Sequence, residues 1–390
     1  MALVFYGYAT GVFSSRELER KTYDSVAFRF IAANTHPDHD SICDFRKRLG
    51  PQLKEMFVAI LAIASQMGVL KLGKVSIDGT KIEANASKHK AFSYGHASKL
   101  EEQLEAEVAK LLSMAEAADK ADVPDGMDIP TELEIREDRL KAIKEAKAEI
   151  ERRAAERHRK EQEEYERTVA ERARKEKNTG KKPRGKDPKP PTAGPTEKDQ
   201  VNLTDNESRI MPGSGGSFKQ AYNAQAGVDT ETLLIVTNHV TQATNDKQEL
   251  EPALRSLVQL PEGIGAVSAL LADTGYFSAT NVRACEEEGI TPYIAVGRQE
   301  HNLPLLERFA EPPALPDNAD AVDAMKHRLK TSSGKAVYAK RKSTIETVFG
   351  IIKAILGFRK FSMRGLNAVK HEWDMVCIGF NLKRLFALAP

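Results

Sequence analysis

The sequence predicts a mixed α/β fold, and three features of its 390 residues lead to that prediction. Short apolar runs at 74–78 and 266–273 end beside glycine, and such runs are typical of buried strands. Helix-like apolar periodicity occurs between and after these runs, which indicates helices beside a sheet. A segment at 98–200 is instead rich in Glu, Lys and Arg, which indicates charged helices outside that core.

The composition limits the classes of protein that the chain can belong to. Hydrophobic residues make up 41% of the chain, enough for a sizeable core, and the formal net charge is only +2. Nucleic-acid contacts would therefore depend on local basic patches. The three cysteines are far apart and form no CxxC pair, which favours reduced thiols in a cytosolic protein. No apolar run reaches the length of a membrane-spanning helix.

Residues 1–72 are predicted to form an N-terminal helical domain. Ser14 and Glu17 have the spacing of a helix capping box, and further helices are expected at 23–33, 41–49 and 53–66. Basic residues at 46–48 end one of these helices, which suits a DNA-binding module. The alternative is a packing subdomain with a solvated charged face. The apolar first residues look like a helix already under way, so we expect a truncated domain.

Residues 73–390 are predicted to form one α/β domain that the segment 98–200 interrupts. Leucines and isoleucines at helical spacing within that segment indicate two antiparallel charged helices, and a basic linker follows at 178–198. We expect the helices to be a solvated arm and the linker to grip DNA or a partner. After the interruption the sequence predicts strands at 220–228, 233–240, 267–273 and 291–296, helices at 246–258, 278–288, 336–357 and 373–387, and an irregular Pro-rich segment at 297–334.

Three acids in this domain share a setting that suits metal chemistry. Asp78 and Asp273 each close an apolar strand, and Glu346 lies on a helix opposite an apolar stripe that would face the core. Alone, each acid could be a cap or a turn residue. Together they provide the hard oxygen ligands that Mg²⁺ prefers, and two ions about 4 Å apart can clamp the oxygens of a phosphoryl transfer. The order of the elements is that of an RNase H-like domain.

Four segments of the chain, 6–16, 77–81, 272–277 and 338–353, resemble bacterial insertion-sequence transposases of the DDE type. More narrowly, they resemble the subgroup that has an N-terminal helical transposase domain and a long charged helical insert. The last segment carries Tyr338, Arg341, Glu346 and Lys353, the order of a Tyr-Arg-Glu-Lys signature on the catalytic helix of that family. Arg341 is one residue further from Glu346 than the usual spacing, whereas Lys342 has that spacing.

The resemblance implies roles for these residues. Asp78, Asp273 and Glu346 would be the catalytic acids and would bind two Mg²⁺ (or Mn²⁺) ions. DNA at the transposon end would contact the four remaining candidates, which are Tyr338, Arg341, Lys342 and Lys353.

The resemblance also implies a function. The chain would be a transposase that cleaves insertion-sequence ends and transfers the freed strands into target DNA. Its implied partners are the terminal inverted repeats, target DNA and a second copy of the chain in the DNA complex, in the bacterial cytoplasm near the nucleoid and without a membrane. The alternatives are an inactive or truncated remnant that only binds DNA, and a structure-specific nuclease that shares the fold.

Overall fold

The computed structural model describes residues 1–87, 90–117, 128–180, 182, 185–213, 216–297, 311–316 and 319–389. It divides into two compact units, one formed by Met1–Asn85 and Ser208–Pro390 and the other by Ala86–Glu207. Parts of the predicted basic linker and of the Pro-rich segment lie outside the described residues, at 181, 183–184, 298–310 and 317–318.

The described residues form helices and strands in both units. The helices are α1 (Ala2–Thr10), α2 (Ser15–Asp24), α3 (Val26–Ile31), α4 (His39–Leu49), α5 (Leu53–Gln66), α6 (Tyr94–Ala117), α7 (Ile129–Thr179), α8 (Leu250–Val258), α9 (Ala279–Glu287), α10 (Ala321–Lys330), α11 (Ser332–Gly350) and α12 (Leu366–Leu388). The strands are β1 (Leu72–Glu83), β2 (Ala91–Ser93), β3 (Gln200–Asn202), β4 (Arg209–Pro212), β5 (Phe218–Asp229), β6 (Ile235–Thr241), β7 (Gly265–Ala272) and β8 (Thr291–Ile294).

The larger unit contains a six-stranded mixed sheet with β1 at its centre. Strand β1 pairs antiparallel with β5 and parallel with β7, and β7 pairs parallel with β8. Strands β4 and β6 both pair antiparallel with β5. Helices α8, α11 and α12 pack against these strands, so the fold is a mixed sheet flanked by helices, as the sequence predicts.

Strand β1 is longer than the run at 74–78 that the sequence indicates. Its antiparallel pairing with β5 continues from Asp78 opposite Ala226 to Glu83 opposite Ala221. The parallel pairing with β7 stops earlier, at Ser76 opposite Leu271. Asp78 therefore lies just past the end of the parallel ladder, although it is not the last residue of its strand.

The last helix, α12, is largely buried, and α1, α5 and β6 pack against it. Its Trp373 is fully buried, and the indole nitrogen Nε1 donates to the carbonyl of Gln225 at 3.0 Å. The tryptophan ring also contacts Phe349 and Phe358. A buried indole whose N–H is satisfied is a core residue.

The predicted irregular segment at 297–334 is wrong in part, because helix α10 begins at Ala321. The Asp320 side chain accepts a hydrogen bond from the backbone N–H of Asp323, and caps the helix at a point beyond the last proline of the segment. Proline content indicated coil over the whole segment, whereas the described prolines all precede the helix.

The smaller unit is built from α6, α7 and the short antiparallel pair of β2 and β3. Apolar side chains of α6 and α7 form one cluster, which contains Ala97, Leu100, Leu104, Leu140 and Ile143. Ion pairs join the two helices with opposite chain directions, Glu101 to Lys147 and Glu105 to Lys144. Among the described residues of the whole chain, no helix is both long and apolar enough to cross a membrane.

Candidate active site

Two of the three predicted acids of the larger unit lie where the parallel pairing of β1 and β7 ends. Asp78 lies past the parallel ladder of β1 and β7, and Asp273 directly follows the last residue of β7. The Asp273 carboxylate accepts the backbone N–H of Gly275 at 2.8 Å, which caps a short 3₁₀ turn and fixes the acid at the sheet edge. Because the strands are parallel neighbours, the two acids meet at the same edge.

The third acid, Glu346, lies on α11, which packs against β1, β5 and β7. The stripe predicted to face the core is buried, and it consists of Ile345, Phe349, Ile352 and Leu356. Glu346 itself is half exposed on the other side of the helix.

The guanidinium of Arg341 contacts all three acids. Its Nη2 atom lies 2.8 Å from Asp78 Oδ2 and 3.8 Å from Asp273 Oδ2, and its Nη1 atom lies 3.1 Å from Glu346 Oε1. Positions far apart in the sequence therefore converge on one cation. The structure brings together the three acids and Arg341.

The three carboxylates differ in their exposure to solvent, at 17% for Asp78, 38% for Asp273 and 50% for Glu346. Burial raises the pKa of Asp78 to about 6. The Arg341 guanidinium opposes this rise, and the negative charges of Asp273 and Asp246 add to it. Like charges in a partly desolvated site need a cation, and Arg341 is the cation in this structure.

The donor set fits a divalent cation by its chemistry. Two of the acids lie on or directly after neighbouring strands and one lies on a helix, and their carboxylate oxygens are the hard ligands that Mg²⁺ and Mn²⁺ take. Within the described ranges, no three His, Cys, Asp or Glu side chains are close enough together to hold a metal ion, and the Arg341 guanidinium lies among these acids. A divalent ion would therefore have to replace Arg341 as the partner of these oxygens.

A fourth acid, Asp246, lies beside the site and was not expected from the sequence. Its Oδ1 atom accepts from Asn223 Nδ2 at 2.7 Å and from Gln225 Nε2 at 2.6 Å, and lies 3.6 Å from Lys81 Nζ. Its charge also contributes to the raised pKa of Asp78. The sequence placed Asp246 at the start of a predicted helix, where an acid is ordinarily a cap, and this concealed its role.

The four predicted DNA-contacting residues occupy different environments. Tyr338 is half-buried near the acids, and burial raises its pKa. Arg341 is only 9% exposed and is engaged by carboxylates, whereas Lys342 is exposed. Lys353 lies in a π-helical turn that extends α11, and its Nζ atom donates to the carbonyl of Lys81 at 3.0 Å. The DNA contacts themselves stay a prediction.

A mixed sheet flanked by helices, with acids of two adjacent parallel strands at one edge, is consistent with an RNase H-like DDE domain. Residues 190–382 match the family described as "Transposase DDE domain", and residues 1–48 match the family described as "Transposase domain (DUF772)". The two matches together cover more than half of the chain, and the chain belongs to the insertion-sequence DDE transposases. No curated protein and no solved structure matched the chain.

Proposed function

We propose that this transposase cleaves the ends of an insertion sequence with divalent metal ions and joins the freed strands to target DNA. The observation that carries the proposal is the convergence of Asp78, Asp273 and Glu346 on the single guanidinium of Arg341. Nothing in a structural core requires three acids to share one half-buried position at a sheet edge. A phosphodiester reaction that uses metal ions does require it.

The three acids would hold two Mg²⁺ or Mn²⁺ ions, which supply charge neutralisation and an activated oxygen nucleophile when bound. The protein's own part is to fix the acids in position. Gly275 N–H holds the Asp273 carboxylate, and Gly79 N–H donates to Asp78 Oδ1 at 2.8 Å. Arg341, once released from the acids, has a planar fork of donors that suits a DNA phosphate.

We also propose roles for the parts of the chain outside the sheet. Residues 1–72 would be an N-terminal helical subdomain that recognises the transposon end, and 98–200 would be a helical insertion in the catalytic domain of 73–390. Among the predicted basic cluster at 46–48, Lys47 and Arg48 are exposed and available to DNA, whereas Arg46 is buried. Two copies of the chain would pair in the complex with two transposon ends.

The alternative of an inactive remnant that only binds DNA is not favoured. A chain without catalysis has no need of like-charged carboxylates in a partly buried site, and such groups are costly to keep without function. All three acids are present in this chain and contact the Arg341 guanidinium.

The proposal is tested by cleavage of a duplex that carries the inverted repeats flanking the gene. The wild-type chain is expected to nick this duplex only with Mg²⁺ or Mn²⁺, and Asp273→Asn is expected to abolish nicking. Glu251→Gln, which changes an exposed acid paired with Arg255 on α8, is the matched control and should leave nicking unchanged. Metal-dependent nicking by Asp273→Asn at the wild-type rate would overturn the proposal.

A further inference from the structure

A groove of about 340 Å³ lies on the larger unit and is lined by residues of β1, β4, β5 and the segment that follows α11. Four of the side chains that line it are cationic, namely Lys81, Lys219, Lys353 and Arg359. One lining side chain, Glu83, is acidic and pairs with Lys219. Met211 and Ala221 form a buried apolar part of the lining.

Three cations of this groove, Lys81, Lys353 and Arg359, lie close enough to repel one another. Burial lowers the pKa of Lys353, and the nearby charges of Arg359 and Lys81 lower it further. Arg359 holds its place by donating from Nε to the carbonyl of Lys353 at 2.9 Å, which leaves the rest of its guanidinium for a ligand. Lys81 and Lys219 already pair with Asp246 and Glu83, but cations still outnumber acids in the lining, and this excess favours an anionic ligand.

The position of the groove relates this ligand to the acids. Lys81 and Glu83 follow Asp78 on β1, and Lys353 follows Glu346 by seven residues. Asp78 is close enough to influence the pKa of both Lys81 and Lys353. A DNA strand with one phosphate at the acids would therefore place its adjoining phosphates in the groove.

We propose that Lys219 and Arg359 bind the sugar-phosphate backbone of the DNA strand next to the cleaved bond. This inference rests on the proposed function, because it assumes that the acids receive a DNA phosphate. The groove volume is near the lower limit of small-ligand sites, which suits a short stretch of one strand rather than a duplex. The cations would contact phosphate oxygens, which position the strand without reading its sequence.

The test is the salt dependence of binding to a labelled oligothymidine of about 20 nucleotides. Binding is measured by fluorescence anisotropy in EDTA, so that the result does not depend on cleavage. The double variant Lys219→Gln/Arg359→Gln is compared with Lys330→Gln/Lys383→Gln, which removes the same charge at two exposed lysines of α10 and α12.

Each lost phosphate contact lowers the slope of log affinity against log salt by about 0.7 for single strands. We expect the groove variant to lose about 1.4 from this slope, and the control variant to keep the wild-type slope. Equal slopes for the two double variants would overturn the inference. So would displacement of the oligothymidine by inorganic phosphate at matched ionic strength, since that result defines a small-anion site. Failure of the proposed function gives a different result. The groove variant would still lose salt slope, but the wild-type chain would not nick the inverted-repeat duplex with Mg²⁺ or Mn²⁺.

Discussion

Asp78 and Arg341 are 263 residues apart in sequence, yet Asp78 Oδ2 accepts a hydrogen bond from Arg341 Nη2 at 2.8 Å. The same guanidinium reaches Glu346 and Asp273. An arginine that the signature pattern assigns to DNA thus serves as the counter-ion of the acids in the free protein. Binding of a divalent ion and release of Arg341 toward DNA would then be one exchange of partners.

Replacing Arg341 by Gln is expected to destabilise the metal-free protein, because the acids lose their shared cation. Leaving a buried charge unpaired costs on the order of 3 kcal/mol, and the half-exposed Glu346 reduces the cost here. Urea unfolding in EDTA measures the loss. Lys342→Gln, at the exposed neighbouring position, should stay within about 0.5 kcal/mol of wild type. Equal stability of the two variants would show that Arg341 is not the counter-ion.

Gly79→Ala is expected to disrupt the site although it adds only one methyl group. A Cβ atom at position 79 would clash with the side-chain amide of Gln225 and would lie 2.5 Å from Asp246 Oδ1. Overpacking of this kind typically costs about 1–3 kcal/mol. Gly73→Ala on the same strand is the control, because its added Cβ atom meets no neighbour closer than 4.0 Å. Unfolding in urea compares the two, and a harmless Gly79→Ala would contradict the packing of Gln225 and Asp246.

A buried ion pair joins α4 to α12 and is expected to hold α4 against α12 within the larger unit. Arg46 Nη2 lies 3.3 Å from Glu372 Oε1 and also donates to the Tyr8 hydroxyl, and both charged side chains are almost fully buried. Arg46→Met should cost about 3–5 kcal/mol by leaving Glu372 unpaired. The double variant Arg46→Met/Glu372→Gln should cost less than the sum of the single variants. Additivity within about 0.5 kcal/mol in urea unfolding would argue against coupling.

Asp374 is expected to make stability depend on pH. Burial raises its pKa from 3.8 to about 6, and Lys54 and Asn238 only partly oppose that rise. The folded state therefore holds the proton more tightly than the unfolded state, and stability falls as pH rises from about 4 to about 6. The loss is about 3 kcal/mol at most.

Asp374→Asn removes this titration, so its free energy of unfolding relative to wild type should rise between about pH 4 and about pH 7. Urea unfolding of both proteins at the two pH values measures the change. A difference between the proteins that is the same at both pH values would contradict a buried, proton-binding Asp374.

The strand acids could be predicted because their surroundings are local in sequence. Apolar runs that end on Asp78 and Asp273 are visible without a structure, and parallel pairing then places both at one edge. The stripe opposite Glu346 fixed the orientation of its helix in the same way. The direction of the Lys353 side chain is harder to predict, because this residue lies in the π-helical turn Ile351–Ile355, which departs from the α-helical period.

Other features depend on tertiary contacts that no local pattern records. The extension of β1 to Glu83 comes from its pairing with β5, which is distant in sequence. Asp246 belongs to the site only because Asn223 and Gln225 on β5 reach it. The contact of Arg341 with all three acids likewise requires the assembled sheet edge, because the signature motif predicts only that Arg341 and Glu346 share a helix.

The central claim is that Asp78, Asp273 and Glu346 bind the same divalent ions. Calorimetric titration with Mn²⁺ tests it most directly, on wild type, Asp78→Asn, Asp273→Asn and Glu346→Gln, with Glu251→Gln as the control. We expect each of the three site variants to bind Mn²⁺ at least about tenfold more weakly than wild type, and the control to bind as wild type does. A folded site variant that binds Mn²⁺ as tightly as wild type would contradict the claim.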